Sequence, residues 1–324
     1  MEHSIELTGV RKTFGSTVAV DALDLAVPRG GLWGFIGPNG AGKTTTIRMI
    51  MSILFPDEGR IAVLGRKSAL DAKDRIGYLP EERGVYKKMR VGSFLTYMAR
   101  LKGADGDHVR TRVRHWLERV GLPHVESKKC EELSKGMQQK VQFIAAVIHE
   151  PELLILDEPF SGLDPVNMRL LRDLVLDEHR RGATVIFSTH VMVQAEQLCD
   201  HIVMIDRGRK VLDASLPEIR QQFDPRTVLV EPLDPTSDPA PVRGLDGVED
   251  VRTGDDGWTV SLADGTAPAA AIRAIAGLVE AARIELHRPT LEDVFIELVS
   301  RGDRNAEEVA QLRAALRHEP AEVA

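Results

Sequence analysis

Three short stretches of this chain have residue types and spacings suited to phosphate chemistry. The first is Gly37-Pro38-Asn39-Gly40-Ala41-Gly42-Lys43-Thr44-Thr45, which fits the pattern G-x-x-x-x-G-K-[ST]. Its glycines let the backbone curl so that N–H groups face a chain of phosphates. Lys43 supplies a point charge for the outer phosphates, and the Thr44 hydroxyl is placed for Mg2+. An apolar run precedes the loop and a helical run follows it, so a helix N-terminus adds its dipole. An ordinary glycine turn would lack that flanking context.

The second stretch is Asp157-Glu158, which ends the apolar run LLILDEP. Asp157 is expected to hold Mg2+, directly or through water, and Glu158 to orient and deprotonate an attacking water. Consecutive side chains of a strand point opposite ways, but at the strand's end both can reach one site. His190 ends the next apolar run, VIFSTH. A neutral imidazole there could keep the water and the outermost phosphate in register. A lone histidine is more often structural, but strand ends are where doubly wound sheets bind ligands.

The third stretch, LSKGMQQK (Leu133 to Lys140), carries Ser134 and Gly136 just before a helical run. Ser134 can cap that helix, whose free N–H groups then attract an anion. A plain helix cap is the commoner fate of such a stretch. If it served the same nucleotide within one chain, the helical segment would have to fold onto the phosphates. In a head-to-tail dimer, each Ser134 turn would cover the nucleotide of the other subunit.

ATP is the expected nucleotide. A guanine reader would need N-K-x-D, and none of Asn39, Asn167 and Asn305 precedes a lysine. Phe14, in KTFGSTVAV, could stack on adenine; a buried strand phenylalanine is the alternative.

The elements that must position these residues are also legible. Residues 1 to about 220 alternate strand-like and helical runs, the pattern of an α/β domain. LWGFI, LLIL, TVIFST and HIVMI are short and densely apolar, as parallel strands covered on both faces are. From about Val91 to Ile148 strand signals vanish. Apolar residues such as Phe94, Tyr97, Met98 and Leu101 recur at helical spacing, which predicts a helical insert at about 88–150. A boundary is expected near Phe223-Asp224-Pro225. A small α+β domain over 223–301 should follow, with strands TVLVE, EDVRT, WTVSL and RIELH. An Ala-rich helix from about Ala267 to Ala282 precedes RIELH, and a helix over PTLEDVFIELV follows it. Residues 302–324 read as a loose amphipathic helix or a disordered tail.

Bulk properties narrow the function classes. The chain has 324 residues, enough for about two domains. No stretch approaches the ~18 uninterrupted apolar residues of a membrane span. MEHSIELTGV does not read as a signal peptide, so a cytoplasmic location is expected, with any membrane work done through a partner. Cys130 and Cys199 are far apart and read as two reduced thiols. A formal net charge of −7 argues against broad nucleic-acid binding.

Taken together, residues 4 to 220 resemble the ATP-binding subunit of an ABC transporter, because the family's motifs occur in its order. Phe14 matches the adenine-stacking aromatic and Gly37–Thr45 the Walker A loop. LPEE matches the loop that usually carries Gln, and LSKGMQQK the family signature. LLILDEP matches Walker B, SGLD (Ser161 to Asp164) the D-loop, and His190 the switch histidine. The resemblance implies a P-loop NTPase fold with a helical insert. It also implies a head-to-tail sandwich of two subunits, closed by ATP and reopened by hydrolysis. In that sandwich Ser134, Gly136 and Asp164 would meet the nucleotide, and the subunits would cap each other's ATP.

Two departures from the family pattern stand out. Lys135 and Met137 occupy positions where a Gly and the Gln of the signature are usual, while Ser134 and Gly136 are kept. Glu81 stands where Gln is usual. Its carboxylate can still accept a hydrogen bond from water or face Mg2+, at the cost of negative charge near the phosphates. IGYLPEERGVYKKM and RPTLEDVFIELV resemble one exporter branch, whose members include sodium and drug or antibiotic exporters. That likeness implies a separate multi-span permease, docking on the loop from Glu82 to Met89, and a dimer of this chain or of sister ATPases on the cytoplasmic membrane face. A regulatory or ribosome-associated ATPase of the same superfamily is the competing expectation, and an importer motor is a third.

Overall fold

A computed structural model of the protein describes residues 2–82, 84–104, 108–223, 226–254, 257–287, 289–300 and Glu308. The chain forms two compact units. The first includes Met1–Leu216 and resumes at Phe295; the second is Pro217–Val294.

The first unit runs β1 (His3–Phe14), β2 (Thr17–Pro28), β3 (Leu32–Ile36), α1 (Lys43–Ile50), β4 (Glu58–Val63) and β5 (Ile76–Leu79). Then come α2 (Val91–Leu101), α3 (His108–Arg119), α4 (Lys135–Val147), β6 (Leu153–Asp157), α5 (Pro165–Arg180) and β7 (Thr184–Thr189). It closes with α6 (Met192–Leu198), β8 (His201–Asp206), β9 (Arg209–Ser215) and the start of α7 (Leu216–Gln222). The main sheet has the order β5-β6-β7-β3-β8-β9. All its neighbours are parallel except β9, which pairs antiparallel with β8. β3, β6 and β7 are buried along their whole length, which explains their unbroken apolar runs. A second, antiparallel sheet, β2-β1-β4, lies outside the sequence expectation; β1 and β2 interleave Arg, Lys and Asp with their buried apolar residues, which breaks up the apolar runs that marked the parallel strands.

Between β5 and β6 the regular elements of the described residues are all helical. α2 buries Val91, Phe94, Leu95 and Ala99, and Trp116 of α3 meets Phe143 of α4 edge-on at 6.2 Å. The helical spacing of Phe94, Tyr97 and Leu101 is real, but it is not one buried face. Tyr97 and Leu101 are 45% and 56% exposed.

His149, just beyond α4, is half-buried. Its Nε2 lies 3.1 Å from Ile76 O, and its Nδ1 has no partner among the described residues. Lys102 Nζ donates to the same Ile76 O at 2.9 Å. Burial first, and then the Lys102 charge, push the imidazole pKa down to about 4 from an ordinary 6.5. The unfolded chain therefore takes up a proton that the fold refuses. This stability is fully present above the ordinary value and is lost as pH falls toward about 4, by up to about 3 kcal/mol. His149→Gln, which keeps a donor for Ile76 O, is expected to flatten that slope in denaturant titrations run at about pH 7 and about pH 5. An unchanged slope would refute the assignment.

The second unit completes α7 and adds β10 (Thr227–Pro232), α8 (Ala240–Arg243), β11 (Val248–Gly254), β12 (Gly257–Leu262), α9 (Pro268–Leu278), β13 (Ala281–His287) and the start of α10 (Leu291–Ser300). Its sheet, β11-β12-β10-β13, is antiparallel throughout. Strand–helix–strand–strand–helix–strand with this order is the ferredoxin-like arrangement. Trp258, Val228, Val230, Val260 and Ile275 form its core. The Ala-rich helix expected to reach Ala282 ends at Leu278. Val279 leaves the helical region, and Ala281 already pairs with Pro232 of β10, so sheet pairing overrides alanine's helix preference. The boundary expected near 223–225 and the tail 302–324 fall on positions that, apart from Phe223 and Glu308, lie outside the described residues.

Candidate nucleotide site

Because β5, β6, β7 and β3 are parallel neighbours, the segments leaving their C-terminal ends emerge along one edge of the sheet. These are Pro80-Glu81 after β5, Glu158 after β6, His190 after β7 and Gly37–Gly42 after β3.

The glycine loop wraps Lys43. Lys43 Nζ donates to Gly37 O at 2.7 Å and Pro38 O at 3.2 Å, so the buried ammonium spans the loop. Gly42 caps α1 with φ 105°, and a Cβ there would stand 2.4 Å from Ala19 O, so no other residue fits. Asn39 and Gly40 form the exposed crest, while Pro38, Thr44 and Thr45 are half-buried and Ala41 is buried.

Asp157, the last residue of β6, is fully buried. Its Oδ1 accepts from Ser188 Oγ at 3.0 Å, and its Oδ2 has no hydrogen-bond partner among the described residues. Burial raises its pKa above the ordinary carboxylate range, and the charges of Glu158 and Glu81 push the same way. The Ser188 and Thr44 hydroxyls oppose the rise, although no hydrogen bond of ordinary geometry closes on Oδ2.

Glu158 solves the alternation problem through its backbone. It adopts φ 47°, a left-handed turn immediately after the strand, and its N–H bonds Ser188 O at 2.9 Å. Its Oε1 then accepts from His190 N at 2.9 Å and lies 2.6 Å from His190 Nδ1. Thr189 Oγ1 donates to Oε2 at 3.1 Å. Sequence reasoning singled out His190 and passed over Ser188 and Thr189. The only signal was two adjacent hydroxyls closing an apolar strand.

Phe14 ends β1 and is 49% exposed, not buried, with Lys12 Nζ 5.6 Å from its ring centroid. Ser134 and Gly136 belong to a second cluster. Ser134 caps α4, accepting from Met137 N at 3.3 Å. Leu163 lies against the Gly136 position, and the buried Gln139 donates to Pro159 O at 3.0 Å. Asp164 caps α5 by accepting from Val166 N and Asn167 N, both at 3.0 Å. Gln139 thus ties the signature helix to the segment after Asp157, a use of the MQQK residues that the sequence did not show.

The chain is 43% identical over 290 residues to the uncharacterized ABC transporter ATP-binding protein YhaQ of Bacillus subtilis (strain 168), covering 90% of this chain and 96% of that one. It belongs to the ABC transporter ATP-binding proteins. The ABC transporter family model matches residues 20–161, and the model of the C-terminal domain of DrrA1-3-like ATP-binding proteins matches residues 215–299. The daunorubicin resistance ATP-binding protein DrrA3 of Streptomyces coeruleorubidus is 33% identical over 317 residues, 95% of this chain and 99% of its own length. A solved ATP binding subunit of an ABC transporter superposes with a TM-score of 0.63 at 31% identity, over 68% of this chain and 92% of that one. The chain is therefore an ABC-type ATPase that uses ATP.

Proposed function

We propose that this ABC ATPase drives export through a separate permease, with the site at the C-terminal edge of β3, β5, β6 and β7 as its motor. The observation that carries this is the joining of Glu158, His190, Asp157 and Lys43 at one edge, on a chain whose full-length relatives include a drug-resistance ATP-binding protein.

Lys43 and the N–H groups of residues 39–45 bind the phosphates, and Phe14 stacks on adenine. Glu158 is the general base. His190, on Glu158 Oε1, fixes the direction in which that carboxylate faces a water. The residues fit Mg2+: Asp157 Oδ2 is buried and unpaired beside the Thr44 hydroxyl. Thr44 and Asp157 would hold it, with Glu81 facing it, and when bound it neutralises charge on the outer phosphate oxygens. Glu81 is exposed yet close enough to act on Asp157. Glu81→Gln is expected to retain ATPase activity and to bind ATP somewhat more tightly in a steady-state titration; loss of activity would give Glu81 a further role.

Ser134, Gly136 and Asp164 act on the ATP of a second subunit in a head-to-tail dimer. Residues 1–222 form the ATPase domain, with the helical insert at 88–150. Residues 223–301 are read as the accessory domain. No helix among the described residues is long and apolar enough to cross a membrane, and the chain is read as peripheral on the cytoplasmic face. The permease docks where Tyr86 meets Tyr97 and Phe94 edge-on at 6.0 and 5.9 Å. Both tyrosines stay about half exposed, beside Lys87 and Lys88.

The test is a pull-down of tagged Glu158→Gln protein from detergent-solubilised membranes of its own host with ATP and Mg2+. A multi-span membrane protein in the eluate supports export and narrows the cargo. Ribosomes or soluble proteins alone would replace the reading with a regulatory one.

A further inference from the structure

Two segments remote in sequence close on the back of the phosphate loop. Gly208 N donates to Ala41 O at 2.8 Å, and Asp21 N donates to Gly208 O at 2.9 Å. Gly208 therefore bridges the loop to β2. It sits in the turn between β8 and β9, where Arg207 and Gly208 have φ 47° and 79° inside the Asp206–Arg209 pair. Two positive φ values make the mirror-image turn that suits a two-residue hairpin.

The packing here is backbone against backbone. A Cβ on Gly208 would stand 2.8 Å from Ala19 O, and one on Gly37 2.1 Å from Ile205 O of β8. Ala19 O is also the oxygen that forbids a side chain at Gly42. No rotamer stands between the loop and its supports, so a displaced support displaces the loop. On the outer side Asp21 is held by Arg11 and by Arg209, whose Nε and NH2 donate at 2.9 and 2.7 Å. Arg209 foremost keeps the Asp21 carboxyl below its usual range.

We propose that the Arg207-Gly208 turn, pinned by the Arg11–Asp21–Arg209 cluster, is a positioning device for the phosphate loop, fixing Ala41 and thereby aiming the loop N–H groups and Lys43 at ATP. The device rests on the reading of residues 37–45 as the ATP loop. Its residues act through Ala41 and Gly42 and do not themselves bind nucleotide.

The experiment compares Gly208→Ala and Asp21→Asn with Lys43→Ala, reading ATP KM, kcat at saturating ATP, and melting temperature with and without ATP. Gly208→Ala forces a side chain onto Ala19 O, and its KM is expected to rise about tenfold with kcat held within about threefold. Asp21→Asn removes the charge and turns one of the two oxygens that accept from Arg11 and Arg209 into an N–H donor; its KM should rise about threefold, with a smaller ATP-induced gain in melting temperature. A purely structural turn would lower the melting temperature without nucleotide and leave KM alone; that result in both variants overturns the proposal. If Gly208→Ala does not fold, Asp21→Asn decides by the same KM reading. An unimpaired Lys43→Ala overturns the reading of the loop, and the device with it. A crippled Lys43→Ala beside unaltered turn variants overturns the device alone.

Discussion

Glu158→Gln is expected to lower ATP turnover by about a thousandfold while leaving ATP bound, since a positioned general base contributes about 10²–10⁴. The substitution keeps the size of the side chain and an oxygen for Thr189 or for His190 N, so the turn after β6 has no new steric reason to move. It removes the basic oxygen that His190 Nδ1 now faces at 2.6 Å. Binding and chemistry therefore separate. Lys43, Thr44 and Asp157 are untouched, and the nucleotide-bound form should accumulate. If hydrolysis reopens a head-to-tail dimer, size-exclusion chromatography with ATP and Mg2+ should show the variant at twice the mass of the chain, and the parent should not accumulate there. Turnover equal to the parent's would remove Glu158 from the role of base. Low turnover with a monomeric, ATP-bound variant would leave the base in place and defeat the dimer.

Lys43→Ala should act on the other half of the reaction. The Lys43 ammonium is buried and donates to two loop carbonyls, so its charge is already desolvated and aimed. A hydrogen bond to a charged group contributes about 1.5–3 kcal/mol, and Lys43 is placed to give more than one to phosphate oxygens. A loss of about 3–5 kcal/mol, or roughly a hundredfold to several thousandfold in ATP affinity, follows. Calorimetric titration without turnover reads this directly. Phe14 offers an internal comparison. It is exposed and lies at a strand's end, so Phe14→Ala should weaken adenine nucleotides by about 1–3 kcal/mol while sparing pyrophosphate. Lys43→Ala should weaken both. Intact ATP affinity in Lys43→Ala would show that the loop is not the phosphate site.

What could be read from residue order was whatever depends on local spacing. A glycine loop between an apolar strand and a helix needs only neighbours to be recognised, because backbone curvature, helix dipole and the Lys43 charge are all set within nine residues. The unbroken apolar runs of β3, β6 and β7 reported burial on both faces, and so a parallel sheet. Parallel strands in turn place Asp157, His190 and the glycine loop at one edge. Tertiary structure decided what alternation and propensity could not. Asp157 and Glu158 serve one edge because Glu158 turns left-handed against Ser188 O, a bond 30 residues away along the chain. Tyr97 and Leu101 share a helical period with buried Phe94 but face outward, since the period gives spacing and only the packing partner says which stripe is covered. Gln139 and Gly208 carry no local signature at all. Their value comes from the carbonyls of Pro159 and the amide-bonded Ala41, groups that every residue owns and that only folding brings within reach.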